Sequence, residues 1–248
     1  MSTLTPIQRS AAAIAAATAI NLPFGTIYAF SVFLKPMETM LGIGRADMTL
    51  IFGLAACSLT AGMNLAPFLY RRLTPFTLIA LAGAGSAIGL ALTARATGLF
   101  DLVLGYGLLF GLGGGVGFIV VQQGVNQTVR TKTGLVNGYV IGLYPLGAMV
   151  GAPLFGWAIV AYGLRPTLAG LAATVLGASL LSAALLRLAR DRDGALRLVT
   201  TNFDRVFHVA AKRSGQAFQA HAAPMLPIPR NSRWNGLAYL HGLLPEKA

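Results

Sequence analysis

Six stretches of this chain, 11–34, 48–70, 73–94, 102–127, 134–161 and 166–186, contain no Asp, Glu, Lys or Arg. A membrane-crossing helix needs about 20 mostly apolar residues, and each stretch is long enough. Their boundaries are charged: Arg9, Lys35 to Asp47, Arg71-Arg72, Arg95 to Asp101, Arg130-Thr131-Lys132, Arg165 and Arg187. Lipid offers the backbone no hydrogen bonds, so only helices or closed barrels can cross it. Barrel strands are about 9–11 residues long and alternate apolar with polar side chains, which none of these stretches does. The expected fold is an all-α membrane protein with six transmembrane helices.

Composition excludes the main alternative. Of 248 residues, 55% are hydrophobic and 10% charged, whereas a soluble domain carries about 25% charged residues. A soluble enzyme over the whole length is therefore ruled out. Residues 1–188 hold 10 Lys/Arg and 3 Asp/Glu, and the last 60 hold 9 and 4. That shift divides the chain into a membrane domain, 10–188, and a tail, 189–248. The run beginning near Ser10 is longer than a secretory leader's apolar core, so it reads as the first span. The one cysteine, Cys57, excludes an internal disulfide and is expected to be a small buried apolar side chain.

Short-loop cations set the orientation. With the N-terminus cytoplasmic, the inner side carries Arg9, Arg71, Arg72, Arg130, Lys132, Arg187, Arg190 and Arg192; the outer side carries Lys35, Arg45, Arg95 and Arg165. Eight against four favours that topology, and six spans return the tail to the cytoplasm. The expected location is a cell inner or plasma membrane, multi-pass, with both termini cytoplasmic. The net charge of +12 follows from that bias, so the expected partner is the lipid bilayer and not nucleic acid.

Glycine is dense inside the spans, above all in Gly111-Leu-Gly-Gly-Gly-Val-Gly117. The run superficially matches a dinucleotide-binding fingerprint, but no strand precedes it and no ribose-binding acid follows. Small residues in apolar helices let neighbouring helices approach closely, and Gly147, Gly151 and Gly156 repeat the pattern beside Pro145 and Pro153.

Gly25-Thr-Ile-Tyr-Ala-Phe-Ser-Val-Phe-Leu-Lys-Pro36, Gly44-Arg-Ala-Asp47, Tyr106 to Gly117, Thr133-Gly-Leu-Val-Asn-Gly138 and Gly147-Ala-Met-Val-Gly-Ala-Pro153 occur in that order. Together they resemble the N-terminal six-helix half of a major facilitator superfamily transporter, nearest to its oxalate/formate and monocarboxylate branch. The resemblance covers about residues 10–188. It implies half of a twelve-helix fold and transport of a small organic anion by alternating access, completed by a second copy or another half-transporter. Two departures stand out. The loop after the second helix, Ala66-Pro-Phe-Leu-Tyr-Arg-Arg72, has Tyr70 where the family has Asp, and Gly107 or a neighbour replaces an Arg of the fourth helix.

Such transporters bind substrate near the midplane, and polar side chains at that depth are costly unless they line a path or bond to each other. The candidates are Asn21, Tyr28, Gln122, Gln123, Asn126 and Tyr144; interhelical hydrogen bonding is the alternative role. No charged side chain lies within a span, so the cation that balances a carboxylate must come from elsewhere.

In the tail, Ala195 to Val199 is a short apolar run ending in Thr200-Thr-Asn-Phe-Asp204, the pattern of a buried strand entering a polar turn. Arg205 to Arg213 reads as a helix and Trp234 to Leu240 leads into His241-Gly242. These elements resemble part of a sirtuin-like NAD-binding domain, an incomplete α/β unit. The resemblance implies Asn202 and Asp204 as nicotinamide and ribose contacts and His241 as general base. The glycine-rich motif that should precede them is missing, so no enzyme activity and no cofactor are expected unless the tail completes such a fold and takes NAD. No metal site is expected, since His208 and His221 share no ligand spacing. Two further readings stay open: a truncated or fused product without independent activity, and a membrane-anchored NAD-binding effector.

Overall fold

The structure, a computed structural model, describes residues 5–129 and 132–189 together with 197–200, 219–222 and 236–239. Six helices are long and apolar enough to cross a membrane: α1 (Pro6–Leu41), α2 (Arg45–Leu69), α3 (Pro75–Ala94), α4 (Leu99–Thr128), α5 (Thr133–Tyr162) and α6 (Leu164–Ala189). Each uncharged stretch forms one helix, and the all-α membrane architecture is as expected.

The ends follow local chemistry. Thr5 caps α1 reciprocally: its hydroxyl accepts from the Gln8 amide at 3.3 Å, and the Gln8 side chain accepts from the Thr5 amide at 2.9 Å. α1 runs past Lys35 and Pro36 to Leu41, where Gly42 turns the chain with φ +65°. Only a residue without a Cβ adopts that conformation cheaply. The Arg45 guanidinium then reaches back to Glu38, with one of its two bonds at 2.9 Å. At the start of α4 the Asp101 carboxylate accepts from the Thr97 amide at 2.8 Å and from its hydroxyl at 3.0 Å. α5 and α6 are joined through Gly163 alone, at φ +89°.

Two helices are irregular inside. α1 tightens into a 3₁₀ turn at Thr26–Ala29, three residues after Pro23, and α4 widens into a π-helix over Val103–Phe110.

Packing is most extensive between α2 and α4, with α3–α4 and α3–α6 next. α1 packs on α5, α6 and α4, while α4 packs on α2, α3 and α1. Exchanging each of α1–α3 with the helix three places later maps these main contacts onto themselves: α1–α5 onto α4–α2, α1–α6 onto α4–α3. Since α1 and α4 cross in opposite directions, this is the contact pattern of two inverted three-helix repeats. Glycines permit it. A Cβ at Gly25 would fall on the Tyr144 carbonyl oxygen of α5, and one at Gly115 on the Leu59 carbonyl oxygen of α2. The glycine run of α4 is therefore a packing surface.

Cys57 departs from expectation: it is exposed on α2. In a membrane helix an apolar residue meets lipid as readily as protein, so hydropathy does not assign its face.

Contacts within the chain divide it into Met1–Arg190 and Asp191–Ala248. The second unit's described residues are three strands, β1 (Arg197–Thr200), β2 (Gln219–Ala222) and β3 (Gly236–Tyr239), paired in parallel in the order β1-β3-β2. Asn202, Asp204, His208, His241 and the expected helix at 205–213 lie outside the described residues.

Candidate functional site

Four of the six candidate side chains, Asn21, Tyr28, Gln122 and Tyr144, lie where α1, α4 and α5 meet. Asn21 sits in the middle of α1, fully buried. Its Nδ2 donates to the Val140 carbonyl of α5 at 3.2 Å, while its Oδ1 has no partner. Turning the amide over would set one acceptor against another, so the orphaned atom is the carbonyl oxygen. One turn toward the arginine-rich end, Thr18 and Tyr139 share a hydrogen bond of 2.9 Å between their hydroxyls, again joining α1 to α5.

Tyr144 is 5% exposed and donates its hydroxyl to the Gly114 carbonyl of α4 at 2.9 Å. Gly114 has no side chain to block that approach. The Tyr144 ring lies edge-on to Phe118, with centroids 5.0 Å apart, and to Tyr28 at 6.4 Å. Tyr28 lies within the 3₁₀ turn and is 47% exposed, so the pair runs from the buried seam to an open face.

The two irregular segments are tied together. Tyr106, within the π-helical part of α4 and fully buried, donates to the Ile27 carbonyl of the 3₁₀ turn at 2.9 Å. Both windings depart from the i→i−4 pattern, and the tyrosine satisfies a carbonyl there. Breaks of this kind inside helices occur frequently at functional positions. At the arginine-rich end, the Gln122 amide donates to the Asn137 side chain of α5 at 2.8 Å, and Gln122 Oε1 is a second buried oxygen without a partner.

The structure thus brings Asn21, Tyr28, Tyr144 and Gln122 into one seam. Gln123 is half-buried and Asn126 exposed, and no side-chain hydrogen bond joins either to it among the described residues. Thr18, Tyr106, Asn137 and Tyr139 belong to the seam and were missed. Each is a polar residue inside an uncharged stretch, the same signal that singled out Asn21, so an even application of that rule would have found them. Tyr70, standing where the resembled family has an acid, donates to the Val120 carbonyl of α4 at 3.2 Å. It anchors the end of α2 by a neutral hydrogen bond.

The seam offers hydroxyls, amides and unpartnered carbonyl oxygens, but no charge. It can hold and orient a small polar solute by hydrogen bonds; it has no group for covalent or acid–base chemistry at neutral pH. Among the described residues, no three His, Cys, Asp or Glu side chains come together.

No family model matches the chain. It is similar to an Escherichia coli (strain K12) protein described as an uncharacterized MFS-type transporter, YhjX, with 26% identity over 125 residues. The match covers 50% of this chain and 31% of that protein, so the chain matches about a third of its relative's length. Nothing in that likeness bears on the oxalate/formate branch or on the sirtuin-like tail. With the six membrane-length helices, it supports a multi-pass membrane domain built like half of a major facilitator transporter.

Proposed function

We propose that the membrane domain transports a small organic anion, such as a mono- or dicarboxylate, by alternating access. The path runs along the seam of α1, α4 and α5, and a second copy or another half-transporter supplies the facing helices. The observation that carries this reading is Asn21: a fully buried amide whose carbonyl oxygen has no partner. Polar groups are retained at depth in a membrane protein mainly where they serve an interior path. α2 and α5 bury the smallest share of their residues, leaving faces for complementing helices, which also bring the cation for the carboxylate. The membrane is the inner or plasma membrane, with both termini cytoplasmic.

Proteoliposomes carrying the purified chain test this reading. Saturable uptake of a labelled mono- or dicarboxylate, competed by other carboxylates and not by neutral sugars, is expected. Uptake no faster than in protein-free vesicles would end the proposal.

A second reading concerns the tail alone, as a sirtuin-like NAD-binding effector anchored by the helices. It is supported by β1 and β3, which are parallel neighbours with Thr200 level with Tyr239. Being parallel, both strands end at the same end of the sheet. Parallel sheets hold ligands at that end. Calorimetric titration of the full chain with NAD decides it: no binding heat removes NAD as a ligand.

A further inference from the structure

We propose that a cavity at the arginine-rich end of α3 and α6 binds the phosphate headgroup of an anionic phospholipid. The cavity has a volume of about 330 Å³ and is lined by Thr74, Pro75 and Phe76 at the start of α3 and by Leu186 and Arg187 at the end of α6. Three of its five walls are apolar; the others bring one hydroxyl and one guanidinium. Arg187 is exposed, and its guanidinium stands 5.9 Å from the centroid of the Phe76 ring. It is therefore held at the mouth of the cavity and not folded away.

Charge makes the ligand an anion. Arg71 and Arg72 precede Thr74, and Arg190 and Arg192 follow Arg187 in sequence. The acids of residues 1–188, Glu38, Asp47 and Asp101, all belong to the opposite end of the bundle. Among the described residues no carboxylate faces Arg187; the nearest acids in sequence, Asp191 and Asp193, lie outside them. A planar guanidinium binds phosphate through two parallel hydrogen bonds, and basic pockets between helices at a membrane surface suit lipid headgroups.

Geometry makes the anion a lipid. Inorganic phosphate would leave the Pro75, Phe76 and Leu186 walls unfilled, whereas a glycerol backbone and the first acyl methylenes fit them. The volume lies at the small end of ligand pockets, about 300–1,000 Å³: enough for a headgroup, with the chains outside along exposed Phe76 and Leu188. A lipid held there would bridge α3 and α6. This site is independent of the transport reading.

The test uses the full chain in phosphatidylcholine-containing micelles, with added phosphatidylglycerol, further phosphatidylcholine or inorganic phosphate. Phosphatidylglycerol is expected to raise the melting temperature, while the other two leave it in place. Arg187→Gln should weaken the apparent affinity about fivefold, the effect of about one charge contact. Arg187→Lys should keep most of the affinity. An equal effect of phosphatidylcholine, or an unchanged effect in Arg187→Gln, overturns the proposal; an equal effect of phosphate reduces the site to a simple anion pocket and overturns the lipid assignment. Should Arg187→Gln not fold, Phe76→Trp gives a second measurement against the parent chain. Brominated phosphatidylglycerol is expected to quench the new tryptophan more than brominated phosphatidylcholine, and equal quenching contradicts the proposal.

Discussion

α3 and α6 share one of the more extensive helix contacts in the molecule, yet no side-chain hydrogen bond joins them among the described residues. Where they meet, Gly83 lies against Ser179, and the hydroxyls of Ser179 and Ser182 have no partner. α1, α4 and α5 are the reverse. Hydrogen bonds of Thr18, Asn21, Tyr106, Gln122 and Tyr144 stitch them together, and two of the three helices change their winding. The first pair is held by shape, the second group by exchangeable polar contacts. Dispersion at close approach gives a rigid support, whereas hydrogen bonds can be traded for bonds to a solute at little net cost. Under the proposed function, α3–α6 is the scaffold and the seam the transport path.

The strongest way to break this comparison is steric. At Gly25 a Cβ meets backbone, the Tyr144 carbonyl, which cannot rotate away. Gly25→Val should lose about 3 kcal/mol or more and leave little monodisperse protein on size exclusion; normal yield would mean that α1 and α5 are not so close. Gly83→Ala meets only the Ser179 side chain, so about 1–2 kcal/mol is expected, and Ser179→Gly should restore most of it. A double-mutant cycle without coupling would remove the α3–α6 contact from the account.

Single hydrogen bonds come next. Tyr106→Phe and Tyr144→Phe each delete one bond to a backbone carbonyl and should cost about 0.6–1.7 kcal/mol in the membrane, read as a lower melting temperature. Larger losses would make the seam scaffold as well. The smallest effect belongs to Ser182→Ala. Its hydroxyl is buried without a partner, so removal should be neutral or stabilising by up to about 1 kcal/mol, and clear destabilisation would show that the hydroxyl does have a partner.

How much of this was legible in the sequence depends on the scale. The spans were, because a charged side chain is expensive in lipid and so marks each edge: 73–94 became Pro75–Ala94 and 102–127 became Leu99–Thr128. α1 was underestimated, since a helix need not stop where the lipid does; it runs to Gly42, whose conformation ends it. The role of the Gly111–Gly117 run could be read, but not that Gly115 faces Leu59 while Gly114 accepts Tyr144. Those partners are set by tertiary packing. The 3₁₀ turn and the π-helix were invisible for the same reason: Tyr106 and Ile27 are 79 residues apart. Asn21 and Tyr144 could be singled out by polarity alone, while the same rule also picked Gln123 and Asn126, which polarity cannot separate from seam residues.

The most direct test sets stability and transport against each other at Asn21. Asn21→Leu keeps the volume close and removes a buried polar group whose oxygen has no partner; the Val140 carbonyl loses only the Asn21 bond. Measured side by side in proteoliposomes, the variant is expected to fold with an unchanged or higher melting temperature and to lose saturable carboxylate uptake. Uptake equal to the unaltered chain, or a variant that fails to fold, would make Asn21 a structural tie and contradict the assignment of the seam to transport.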